Sequence, residues 1–165
     1  MALMALRSGR RVTQGTAAQT DLKTRPIAAG LFTWPAAEPQ LIGSRCGECG
    51  AQTFPAQSYC PRCASTSMSE VLLPRTGSLW TWTIQGFRPK SPPYKGDDTV
   101  DTFEPYGVGY VDLDGELLVE ARLIENDPDR LRLGAEVELV LVPLYRDEDG
   151  TDVLTFAFRT LASDG

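Results

Sequence analysis

From residue 70 onward, apolar residues come in short runs broken by turn formers about every dozen positions, the rhythm of consecutive β-strands rather than of helices. Val71-Leu72-Leu73 is the first run, ended by Pro74. Residues 77–87 follow, with alternation that predicts Trp80, Trp82 and Ile84 on one face and Leu79, Thr81 and Thr83 on the other. Trp80 and Trp82 are then either core residues or a platform for stacked bases, and their alignment with Ile84 favours the core. Residues 106–112 and 117–123 form a hairpin around Asp114-Gly115, a dipeptide suited to a tight β-turn. Residues 126–134 read as a connector with one helical turn. Residues 136–145 and 153–160 form a last hairpin around Asp149-Gly150. Five principal strands at this spacing predict a small antiparallel barrel rather than a sandwich.

Upstream the pattern changes. Residues 1–30 carry a mildly helical start (Met1 to Leu6), a basic run and a small polar stretch. A basic, acid-poor start can mimic a transit peptide, but composition favours a flexible or partly helical extension. Residues 31–40 hold two prolines and two aromatics, which predicts an extended arm lying on an apolar surface of its own domain or of a partner. Residues 41–45 form a short strand leading into the chemistry-bearing stretch.

That stretch contains all four cysteines, Cys46, Cys49, Cys60 and Cys63, as two CxxC pairs separated by residues 50–59. Two thiolates on one tight turn hold one side of a tetrahedral metal ion, and a second turn completes the shell. Gly47 and Gly50 suit a backbone that bends around a metal, and Pro61 stiffens the second turn. The intervening segment has room for a hairpin but not for a helix of any size. Residues 41–69 are therefore a zinc ribbon, with residues 64–69 as a polar linker. A disulfide framework would need an oxidising compartment, and a redox site would need only one pair. Iron fits the same four-thiolate cage, but structural zinc is the expectation.

Composition removes several kinds of chemistry. The chain has 165 residues and no histidine, which excludes Ser-His-Asp and Cys-His catalysis and imidazole bases. With the cysteines on a metal, no free thiol nucleophile remains. No apolar run approaches the ~20 residues of a membrane-spanning helix, so a cytoplasmic protein is expected. Charge is lopsided: residues 96–165 carry five basic against eighteen acidic side chains, while both segments before them are net positive. An acidic C-terminal part repels a nucleic-acid backbone, so single-stranded nucleic-acid binding is the weaker alternative function. The long loop at residues 88–105 contains Asp97, Asp98, Asp101 and Glu104, which could supply a general base but read better as a solubilising run. Asp147, Glu148 and Asp149 form a hairpin tip without an assigned role. Gly107 and Gly109 mark a bulge or the close approach of a ligand.

The order of these features resembles a known family. Cys-Gly-Glu-Cys-Gly, Phe54-Pro55 and Cys-Pro-Arg-Cys precede the run from Glu104-Pro105-Tyr106 to Asp114, and Leu131 to Gly134 supplies a Leu-x-x-Gly before the fourth strand. This is similar to the domain-of-unknown-function thirty-five family over residues 31–162. The resemblance implies an all-β chain of a rubredoxin-like zinc ribbon (41–69) and a five-stranded OB-fold barrel (70–162), after an extension and arm (1–40). It also implies a small accessory subunit for a thiolase-like or sterol-carrier-protein-type partner, in a hetero-oligomer acting on acyl-CoA. That partner would hold the thiolase or retro-aldolase chemistry, such as shortening of steroid side chains. Under that implication Arg88, Lys90, Tyr94 and Lys95 become candidates to clamp the phosphates of a CoA thioester, against the reading of an ordinary solvated loop.

Overall fold

In the computed structural model, residues 23–96 and 98–161 are described. The expected helical turn at the extreme N-terminus and the acidic candidate Asp97 lie outside them. Among the described residues, nine strands form two sheets. β2 (Ile42–Cys46), β3 (Gln52–Thr53) and β4 (Met68–Leu72) make a small sheet with β2 in the centre. β5 (Thr76–Gln85), β6 (Tyr106–Leu113), β7 (Leu117–Leu123), β8 (Glu136–Arg146) and β9 (Asp152–Thr160) close into a barrel. The order around the barrel is β5-β6-β7-β9-β8 and back to β5, with β8–β9 and β5–β8 pairings sealing the ring. Among the described residues no helix is long and apolar enough to cross a membrane.

The barrel is antiparallel as expected, except where β7 meets β9 in parallel at Arg122↔Ala157 and Leu123↔Phe158. A parallel contact cannot be made by a hairpin. It arises here because residues 124–135 cross the end of the barrel and send the chain back as β8. That crossing contains the single turn expected, closed by the Arg130 and Leu131 amides on the Asp127 carbonyl. The β6–β7 turn has Asp114 and Gly115 both at positive φ, and the Glu116 amide donates to the Leu113 carbonyl. These are the features of a type I′ hairpin.

Three sequence expectations are corrected by the structure. The first concerns β5. Pairing with β6 slips between Leu79 and Thr81, so Trp80 is an extra residue in a β-bulge. Leu79 is fully buried, Trp82 and Ile84 pack on the core from beyond the slip, and Trp80 is left 59% exposed. Strict alternation fails because one inserted residue reverses the parity of everything after it.

The second concerns residues 64–73. Val71 and Leu72, the first apolar run of the segment assigned to the barrel, belong to β4, and so do the last two residues of the expected linker. β4 pairs along its whole length with β2 from Ile42↔Leu72 to Cys46↔Met68. The third concerns the N-terminal part. Residues 24–26, expected to be loosely organised, form β1 (Thr24–Pro26), parallel to the start of β9 and fastened by the Ile27 amide on the Leu154 carbonyl.

The arm at 31–40 lies on its own domain. Phe32 is buried and bridges to Leu41, and residues 33–40 loop out between them, held by the Thr33 amide on the Gln40 carbonyl. Phe32, Leu41 and Leu73 continue the barrel core of Leu79, Val111, Leu139 and Phe158 towards the ribbon. Phe54, beside Pro55, meets Phe156 edge to face at 5.4 Å, and Arg45 donates to both carboxylate oxygens of Glu116 across the same junction. Gly107 and Gly109 face inward and are buried. A Cβ on Gly109 would stand 2.7 Å from the Thr81 carbonyl oxygen and 2.8 Å from Leu79 Cδ1, so the crowded barrel wall explains this glycine without a ligand.

Candidate functional site: a four-thiolate metal centre and an aromatic groove

The two CxxC turns are built alike. The Gly50 amide donates to the Cys46 carbonyl at 3.0 Å, and the Ala64 amide to the Cys60 carbonyl at 2.8 Å. The Cys46 amide donates to Ala51 and the Cys60 amide to Ser65, each five residues on. Each turn ends on a residue at positive φ, Gly50 at 72° and Ala64 at 57°. The left-handed region suits glycine and strains alanine by roughly 1–2 kcal/mol. Ala64→Gly is therefore expected to leave stability unchanged or raise it, because relief of strain outweighs or matches the added freedom of the unfolded chain, roughly 0.4–1 kcal/mol. Gly50→Ala has open space around the new methyl group yet should cost about 1 kcal/mol through φ alone. Paired thermal melts of the zinc-loaded variants check both signs.

The four sulfurs gather at one point, all within 4.8 Å of one another. Cys46–Cys63 and Cys49–Cys60 are each 3.6 Å apart. A disulfide would bring two sulfurs to about 2.05 Å. A zinc ion with bonds of about 2.3 Å to four sulfurs spaces them about 3.8 Å apart, so the cluster has the dimensions of a tetrahedral thiolate cage. The surrounding backbone acts unevenly on the thiols. The amide N–H groups of Cys49 and Glu48 draw Cys46 down to about 7, and the Cys63 amide likewise lowers Cys60. At Cys63 the Ser65 amide pulls downward, but the Cys49 sulfur and burial prevail and push it up to about 12. Four thiolates at these distances repel one another, and a divalent cation removes the conflict. The site is a structural zinc centre: four protein ligands leave no open position for water or substrate.

The loop candidates have varied roles. Arg88 turns inward, donating to Asp98 Oδ1 at 2.7 Å and lying 5.0 Å over the Tyr94 ring. Tyr94 donates its hydroxyl to Asp98 Oδ2 at 2.5 Å. Lys90 and Lys95 are exposed, and the Lys95 ammonium lies 5.8 Å over the Tyr145 ring. Of the acidic run, Asp98 is thus a loop fastener. Burial first, and then Asp98, push Tyr94 up to about 12. Asp98 is itself held below the usual carboxylate range, chiefly by the Tyr94 hydroxyl and then by Arg88.

The sign of the pH effect follows. A depressed carboxylate stabilises the loop above its unfolded value of about 3.9 and loses that contribution as pH falls through its lower folded value. Tyr94 stabilises below about 10, and that contribution fades as pH rises towards its folded value. Asp98→Asn should make Tyr94 ionise at lower pH, read by phenolate absorbance against the wild type.

Residue reading along the chain missed two groups beside this loop. Tyr106 and Arg122 lie on adjacent strands, facing outward, with the guanidinium 4.3 Å over the ring. Their proximity comes from the Val108↔Arg122 register of β6 and β7, so no local motif announces it. Tyr94, Tyr106 and Leu144 line two adjoining clefts of about 420 and 300 Å³ on this side of the barrel. Asp147, at the hairpin tip, also has a structural role. Its carboxylate accepts from the Thr151 amide and from Arg25, which ties the β8–β9 turn to β1; against burial, these bonds hold it below the ordinary range.

Two family profiles cover two adjacent stretches of the chain. The ChsH2 rubredoxin-like zinc ribbon domain matches residues 33–69, and the ChsH2 C-terminal OB-fold domain matches residues 70–142. The chain belongs to the DUF35 family of ChsH2-type zinc-ribbon and OB-fold proteins. Among its relatives, a benzoylsuccinyl-CoA thiolase subunit BbsA from Thauera aromatica is 33% identical over 123 residues, covering 74% of this chain and 78% of that protein. A DUF35 domain-containing scaffold protein from Pyrococcus furiosus is 32% identical over 123 residues, covering 74% and 84%. Among solved structures, a chain of an Ltp2-ChsH2(DUF35) aldolase superposes with a TM-score of 0.53 at 23% identity, covering 73% and 84%. That likeness confirms the DUF35 fold, a ribbon followed by an OB-type barrel.

Proposed function

We propose that this chain is the non-catalytic small subunit of a thiolase-superfamily complex acting on an acyl-CoA. The observation that carries the reading is its similarity, at 33% identity over most of both chains, to a protein that is itself a thiolase subunit. The chemistry of the chain agrees. It has no histidine, its four thiols belong to a closed metal centre, and its candidate carboxylate Asp98 is engaged by Tyr94 and Arg88. A chain so equipped contributes surface rather than proton transfer. Exposed apolar residues such as Trp80, Phe87 and Leu133 offer area for a partner to cover.

In this reading the partner carries out thiolytic or retro-aldol cleavage of a carbon–carbon bond in a β-keto- or β-hydroxyacyl-CoA. A steroid side-chain thioester is the first substrate to try. The small subunit supports folding of the partner and borders its CoA site through Lys90, Lys95, Tyr94 and the loop that Arg88 anchors. Single-stranded nucleic acid fits less well, because the barrel half carries the excess of acidic residues.

Co-expression with a thiolase-like partner tests the proposal. The expected result is a partner that is soluble and active only together with this chain, with both eluting in one peak. Turnover of an acyl-CoA by the purified chain alone would overturn it.

A further inference from the structure

The bulge in β5 puts Trp80 on the outside of the barrel, where it adds nothing to the core. It is not alone there. Thr81, the next residue, is in register with Tyr110, Tyr110 with Glu120, and Asp112 with Leu118. Alternate residues of a strand share a face, so Tyr110 and Asp112 on β6 stand outward with Leu118 and Glu120 on β7. Tyr110 and Leu118 are both exposed. Diagonal positions on neighbouring strands are about 7–8 Å apart, within reach of long side chains. Trp80, Tyr110 and Leu118 thus make one apolar row across β5, β6 and β7. Exposed apolar residues scattered singly are ordinary, but a row with two aromatics has the composition of an interface centre.

The charge beside the row is of one sign. β5, β6 and β7 carry three charged residues, Asp112, Glu120 and Arg122. Arg122 lies beyond Glu120, stacked on Tyr106 at the loop end of the face. Asp112 and Glu120 flank the row itself, and Asp114 follows in the exposed β6–β7 turn. Asp112 accepts from the Gly115 amide and Glu120 from the Tyr110 hydroxyl, both neutral donors.

We infer that this face, centred on Trp80, docks a protein surface whose apolar centre is rimmed by lysine or arginine. A second copy of the chain fits badly, because two such faces set together bring Asp112 and Glu120 of both copies into opposition. A nucleic-acid strand meets the same repulsion. The inference rests on the proposed function for the identity of the partner, the thiolase-like subunit. It adds which face of the barrel that subunit covers and which charge it brings.

The test purifies the full zinc-loaded chain in complex with a co-expressed thiolase-like subunit and follows dissociation on dilution by size-exclusion chromatography with light scattering. Trp80→Ala should weaken the complex roughly tenfold or more while the melting temperature of the chain alone stays unchanged, and Trp80→Phe should restore part of the loss. Glu120→Gln keeps an acceptor for the Tyr110 hydroxyl and removes the charge. It should weaken the complex at low ionic strength and match the wild type at high salt. An unchanged complex with Trp80→Ala, or a loss with Leu133→Ala and none with Trp80→Ala, would overturn the inference and leave the proposed function standing. A Glu120→Gln complex tighter than the wild type would overturn it too, since the partner's rim would then be acidic. So would a chain that dimerises alone and loses its dimer with Trp80→Ala, because the face would belong to a second copy. A wild-type chain that forms no complex at all defeats the proposed function and the inference together.

Discussion

Removal of the metal from this protein will unfold the ribbon and weaken the barrel with it. A folded four-thiolate zinc site contributes roughly 10 kcal/mol or more in small zinc-binding peptides, more than the 5–15 kcal/mol total stability of many domains can spare. Besides the metal, the ribbon is held by two short strand ladders and by a few contacts to the barrel, Arg45–Glu116 and Phe54–Phe156 among them. β3 is a two-residue strand, and the buried polar pair Ser44–Thr53 is joined by one hydrogen bond of 2.7 Å. The consequence reaches further because β4 leads directly into Leu73, which shares the core with Phe32, Leu41 and Leu79. Loss of β2–β4 pairing uncovers that end of the barrel.

Metal analysis should find one zinc per chain. A strong chelator, or Cys46→Ser, should lower the melting temperature by well over 10 °C and expose surface that binds a hydrophobic dye. Acid should act in the same direction, since protons compete with the metal for the thiolates. A metal-free chain with an unchanged melting temperature would show that the cage is incidental to the fold.

Leu79→Ala will cost about 2–5 kcal/mol, whereas Trp80→Ala, which removes a much larger side chain one residue away, will change the stability of the isolated chain by less than about 1 kcal/mol. Leu79 is wholly buried among Val111, Leu139 and Phe158, and its truncation leaves a cavity that the closed barrel cannot collapse to fill. Trp80 projects from the bulge into solvent. Denaturant titration of both variants decides the matter. Comparable losses would mean that Trp80 is packed and that the slip between Leu79 and Thr81 is misplaced. In a complex the two should converge, because a partner seated over Trp80 would make its removal costly there.

Features set by neighbouring residues were legible without coordinates. Two CxxC turns define a metal cage because the thiolates lie two residues apart, and Asp114-Gly115 defines a type I′ turn because only such residues tolerate its φ angles. Alternating apolar runs gave the strands from 106 onward, and the missing histidine removed the imidazole-dependent mechanisms. What depended on distant pairing was not legible. The bulge at Trp80 exists only against β6, and β4 joins the ribbon only because β2 accepts its ladder. β1 becomes a strand only where β9 offers an edge, and Arg122 reaches Tyr106 through a register between two strands. Thiolates two residues apart, or a turn four residues long, are specified by local covalent geometry. A strand's partner, and the side chains that partner brings alongside, are chosen by the whole chain as it closes the barrel.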